Sequence, residues 1–112
     1  METVRSSTVD AGEPVDGVRL AELASGEATS MQRFEIEPGA TVPEHSHPHE
    51  QTGFLSEGRL RFVSGGETFV VEAGDSFTVP GGEPHSVRND GDTVAAGIDV
   101  FSPPRTDPDW AG

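Results

Sequence analysis

The heptapeptide His45-Ser46-His47-Pro48-His49-Glu50-Gln51 places three of the chain's four histidines within five residues. On an extended strand the side chains of His45 and His47 leave the same face, so both imidazoles reach one point above it. Such a pair is a two-toothed grip for a metal ion, and two further ligands would complete a site. Pro48 sits poorly in a central strand, so the chain is expected to turn there and to start a new strand near Glu50 or Gln51. The fourth histidine, His85, lies far off in sequence, just after the turn Pro80-Gly81-Gly82-Glu83-Pro84. Alone, a His-x-His pair is more often part of a solvated loop; what surrounds it changes that reading.

Outside the heptapeptide, apolar residues recur two apart at Phe34/Ile36, Leu60/Phe62, Phe69/Val71 and Phe77/Val79. That is the period of a half-buried strand, and turn residues punctuate it at Pro38-Gly39, Gly58, Gly65-Gly66, Gly74-Asp75 and Asn89-Asp90-Gly91. Strands are expected over 31–37, 41–47, 51–55, 59–63, 68–72, 76–79, 85–88 and 93–101. The only stretch read as helical is Val18 to Ala24. Residues 1–16 and 103–112 read as loosely structured arms around a barrel core of about 29–101. With 112 residues, a single domain is expected.

The chain carries 20 acidic residues against 7 basic ones, every basic residue being Arg, for a net charge of −13. An excess of this sign argues against nucleic acid or an anionic membrane as partner, since phosphate recognition needs clustered cations. No apolar run approaches the ~20 residues of a membrane-spanning helix. The N-terminus lacks a signal peptide's apolar stretch, so a cytoplasmic protein is expected. With Cys 0, disulfides, thiol nucleophiles and thiolate ligands are excluded.

Two spaced frames surround the histidines. The first runs Gly39, His45, His47, Gln51, Gly58, and the second runs Gly74, Pro80, Gly82, His85, Asn89. They resemble the two motifs of the cupin superfamily. The resemblance implies a double-stranded β-helix, or jelly-roll, barrel with a divalent transition metal (Zn, Ni, Fe, Mn or Cu) held by His45, His47, His85 and the residue at the first motif's acidic position. Here that position is Gln51 rather than Glu. Gln51 is favoured as fourth ligand through its amide oxygen; Glu50, one residue early, would face the other way on a regular strand. A neutral set of three His and one Gln leaves the metal's charge uncompensated, which favours an anionic ligand. His49 reads as a solvated turn residue or as a partner that steadies a ligand.

Cupin motifs fix fold and metal but not reaction. The C-terminal run Asp99-Val100-Phe101-Ser102-Pro103-Pro104-Arg105 adds an acid within an otherwise apolar strand and a cation just past its end. Together with the HSHPHEQ heptapeptide and the Pro-Gly-Gly turn before His85, it resembles the small cupins of pectin and alginate breakdown. Those proteins convert 4,5-unsaturated uronate monosaccharides to the linear keto form. The resemblance implies catalytic roles for Asp99 and Arg105, and substrate contacts for Phe101 and Arg105. The small-molecule partner would be an anionic sugar acid. Two alternatives stay open: an Fe(II)-type dioxygenase on the same histidines, or a non-catalytic module binding a sugar acid or other small ligand. Short barrels expose edge strands, so a homodimer is expected, with the arms and Trp110 as contacts. The acid excess, with Lys wholly replaced by Arg, reads as a salt-adapted, halophilic coat.

Overall fold

The computed structural model describes residues 1–105, and two antiparallel sheets account for most of it. In chain order the strands are β1 (Gly12–Val15), β2 (Val18–Ser25), β3 (Ser30–Ile36), β4 (Thr41–His45), β5 (Glu50–Glu57), β6 (Arg59–Ser64), β7 (Glu67–Glu72), β8 (Ser76–Val79), β9 (His85–Arg88) and β10 (Ala95–Ser102). One sheet has the order β1-β2-β3-β10-β5-β8, the other β4-β9-β6-β7. This is the all-β architecture expected from the alternating pattern, in the jelly-roll form that the cupin resemblance implies. Among the described residues no helix is long and apolar enough to cross a membrane.

Two expectations are corrected. Val18 to Ala24 is strand, not helix: β2 forms a ladder with β3 through Val18↔Ile36, Leu20↔Phe34 and Glu22↔Gln32. Its local propensity is ambiguous, and the hydrogen bonds offered by the edge of β3 settle it. Residues 1–16 are not wholly a loose arm, because Ser6–Thr8 form a short 3-10 turn and Gly12–Val15 pair with β2. Arg33 ties the turn down by donating to the Ser6 carbonyl at 3.0 Å. The C-terminal tail is described only to Arg105, and the role given to Trp110 lies outside the described residues.

Inward-facing residues stack in two layers. Phe34, Ile36, Val42, Leu55, Leu60, Phe62, Val87 and Ala95 form the apolar floor. Above them the same strands keep parity and carry the polar Ser30 and Gln32 on β3, Gln51 on β5 and Asp99 on β10, beside the apolar Phe101. Pairing sets Asp99 opposite Gln32 and Phe101 opposite both Ser30 and Gln51.

Glycines make the close approaches possible. Gly58 (φ +80°) turns β5 into β6 where a Cβ would stand 2.6 Å from the Val94 carbonyl oxygen. Gly82 (φ +79°) turns the loop before β9 so that its N–H donates to the His47 carbonyl at 2.7 Å. That bond ties the second sequence frame directly to the first. Asn89, fully buried, closes the other end of the same loop system by donating to the Ile36 and Thr93 carbonyls, both at 2.8 Å.

Candidate metal centre and chamber

His45 ends β4, His47 follows it, and His85 opens β9 directly opposite His45 in the ladder. One ring nitrogen from each of the three lies within 4.8 Å of the others. The Nδ1 of each ring meets a backbone carbonyl, Pro43 at 2.9 Å, His49 at 3.0 Å and Glu83 at 2.8 Å. A neutral imidazole donating from Nδ1 carries its lone pair on Nε2, so in that tautomer each of the three rings offers an acceptor toward one centre. Burial supports the neutral state: desolvation lowers His45 from 6.5 to about 4 and lowers His47 as well, with Arg105 and the neighbouring rings adding to it.

Gln51 faces the same centre. Its Oε1 stands 3.2 Å from His47 Nε2, so with His47 in this tautomer two acceptors oppose each other. A cation between them would turn that contact from unfavourable to favourable. The donor set thus fits a divalent ion with nitrogen and oxygen ligands and no thiolate. Glu50 is exposed on the outer side of β5. His49 is half-buried and packs its ring against His47 and Phe101 at centroid distances of 5.5 and 6.1 Å. Its backbone carbonyl, rather than its ring, orients His47.

Asp99 lines the same cavity as His45, Gln51 and His85. Burial pushes its carboxyl up to about 7, against the opposing pull of Gln51, Gln32 and Arg105. Gln32 Nε2 donates to Asp99 Oδ2 at 3.3 Å. Arg105 lies over the Phe101 ring, its guanidinium carbon 4.8 Å from the centroid, in cation–π range. The backbone of Arg105 is fixed by Ser30, whose Oγ accepts its N–H at 2.9 Å. The cavity these residues share holds about 50 Å³, room for an ion and a water or two.

The structure therefore brings His45, His47, His85, Gln51, Asp99, Phe101 and Arg105 to one chamber. Gln32 lines it too, while Ser30 holds the Arg105 backbone, and no sequence motif marks either. Their signal is parity: Ser30, Gln32, Phe34 and Ile36 share one face of β3, so a polar pair continues an apolar one toward the barrel mouth.

A model of the Cupin domain family matches residues 32–101, which is more than half of the chain. KdgF from Halomonas sp. superposes with a TM-score of 0.84 at 23% identity, covering 93% of this chain and 96% of that one. An RmlC-like cupin from Shewanella frigidimarina also gives 0.84, at 26% identity over 94% and 93% of the two chains. A predicted oxalate decarboxylase from Thermotoga maritima gives 0.78, at 26% identity over 90% and 98%. Comparison with curated proteins finds no match.

Proposed function

The chain belongs to the Cupin domain family, and on that premise we propose that it is a metal-dependent enzyme converting 4,5-unsaturated uronate monosaccharides to the linear keto form. The observation that carries this reading is Asp99. It is a buried carboxyl that holds its proton near neutral pH, in one cavity with His45, Gln51, His85 and Arg105. The other structural relatives carry different names, so the reading rests on the chain's own residues and on the sequence signature they form.

His45, His47, His85 and Gln51 would hold the ion, and a bound divalent metal supplies Lewis-acid polarisation of substrate oxygens and orientation. Arg105, fixed by Ser30 and stacked on Phe101, is placed to receive the uronate carboxylate. The Phe101 ring offers an apolar face to the sugar. The reaction is an isomerisation: the anomeric hydroxyl gives up its proton as the bond between the anomeric carbon and the ring oxygen breaks, leaving an aldehyde and an enolate. The enolate then takes one proton at the vinylic carbon and becomes a ketone. No co-reactant is consumed. Asp99 is the acid/base, because a carboxyl with a pKa near 7 can accept the first proton and return it at the second position.

A sugar ring needs more than the cavity's present volume, so binding must widen the chamber. The test is elemental analysis of the purified protein followed by a lyase-coupled assay on unsaturated galacturonate, with and without chelator. Metal-dependent loss of the conjugated chromophore without oxygen uptake is the expected result. Oxygen consumption by an iron-loaded sample would replace this reading with a dioxygenase. Calorimetric uronate binding without turnover would replace it with a binding module.

A further inference from the structure

The two sheets do not close along the whole seam between β7, the edge of one, and β8, the edge of the other. A groove of about 660 Å³ opens there, within the roughly 300–1,000 Å³ range of small-molecule sites. Its walls are inner-face residues of both sheets: Phe62, Phe69 and Val71 on one side, Phe77 and Val79 on the other. Phe69 pairs with buried Phe62 and faces the same way, yet it is 49% exposed, because no inner-face partner stands opposite it. His85, Phe62 and Phe77 line both this groove and the small metal chamber, so these side chains border the two spaces at once. Room for Phe77 at this partition comes from Gly53, where a Cβ would stand 2.1 Å from the ring.

Charge narrows what the groove can take. Among the described residues its ionisable lining groups other than His85 are Asp75 and Glu83, with no Arg among them. Ser64 donates to Glu83 and so holds one carboxylate at the rim. An anion entering here would meet two carboxylates, whereas Arg105 lines only the metal chamber. We propose that the β7–β8 groove is a second binding site, a lateral one, which takes an uncharged, largely apolar ring compound against Phe69 and Phe77 with its inner end at His85. The site stands apart from the uronate reading, since occupancy is measured without turnover.

The matched pair N-phenyl-1-naphthylamine, neutral, and 1-anilinonaphthalene-8-sulfonate, anionic, tests both halves of the proposal. Fluorescence titration of the full chain at molar salt shortens the Debye length to ~3 Å, so the remaining discrimination is local rather than a result of net charge. The neutral probe is expected to bind at least tenfold more tightly than the anion. Phe69→Ser should weaken it tenfold or more. Phe54→Ser, equally exposed at 49% but on the outer face of the other sheet, should leave it unchanged. No binding of the neutral probe, equal binding of both probes, or equal losses in the two variants would overturn the site. Circular dichroism on each variant establishes that any loss is not unfolding.

Discussion

Asp99 and His45 titrate abnormally for the same reason, desolvation, and in opposite senses. Folded Asp99 keeps its proton up to about 7 whereas the unfolded carboxyl loses it near 3.8. The native chain therefore binds the extra proton across that window, and this group's contribution to stability falls as pH rises through it. Folded His45 stays neutral down to about 4 while the unfolded imidazole protonates near 6.5, so its contribution rises with pH over that interval. In the metal-free protein the falling slope from Asp99 opposes the rising slope from His45, to which His47, lowered by the same desolvation, adds, between about pH 4 and 6.5. Asp99→Asn removes the falling one. Urea denaturation should give a shallow pH dependence for the wild type and a steady gain in stability from pH 4 to 6.5 for the variant. At pH 8 the variant should be more stable by on the order of 2–4 kcal/mol. Parallel curves would show that Asp99 is not buried as a proton-holding acid. At this scale the sequence was most legible where chemistry is rare. Four histidines, one acid in an apolar strand and one Arg after two prolines stand out. Ser30 and Gln32 do not, because a Ser or Gln on a strand is common and gains meaning only from its partner across the ladder.

Strands position these residues through register, and register depends on bare backbone at a few crossings. At Gly97 on β10 a Cβ would stand 2.2 Å from the Phe54 carbonyl oxygen and 2.6 Å from the Phe34 ring. Gly97 lies two residues before Asp99 on the same inward face, where Phe34 packs over it. Gly97→Ala should cost on the order of 1–3 kcal/mol or more by overpacking, seen as a lower melting temperature. It should also lower metal affinity by displacing β10 against β5, read by competition with a chromophoric chelator. An unchanged melting temperature would contradict the described packing. Most strands could be read from alternation and turn residues, and the two glycine frames placed the histidines on adjacent chain ends. β2 was misread because Val18 to Ala24 spaces its apolar residues ambiguously. What makes it a strand is the free edge of β3, and a partner 14 or so residues away leaves no local mark. The lateral groove was equally invisible, since nothing along the chain says that Phe69 lacks a residue opposite it.

Over the whole molecule the acids do little chemistry. Glu35 and Glu37 pair with Arg19, Asp90 pairs with Arg59 and Arg61, and most others are exposed. A net charge of −13 on a 112-residue chain repels itself when unscreened. We propose a salt-adapted protein, whose melting temperature should rise steeply as salt increases from tens of millimolar to molar levels. A flat or falling curve would remove that proposal. On the proposed function the same coat would oppose an approaching uronate, so the positive focus would have to be local, formed by the metal held at the histidines and by Arg105. The expected homodimer is a proposal of the same scale, and sedimentation equilibrium at molar salt decides it.

The central claim, that a metal-holding histidine set and Asp99 in one chamber ketonise unsaturated uronates, is tested most directly by paired progress curves on freshly generated unsaturated galacturonate. Wild type and Asp99→Asn, brought to equal metal content by elemental analysis, are compared with the uncatalysed reaction. Wild type should remove the conjugated chromophore far faster than solution does, with the variant slower by about 10²–10⁴-fold at unchanged metal stoichiometry. Metal-replete wild type that loses the chromophore only at the uncatalysed rate, or a variant as fast as wild type, would contradict the account.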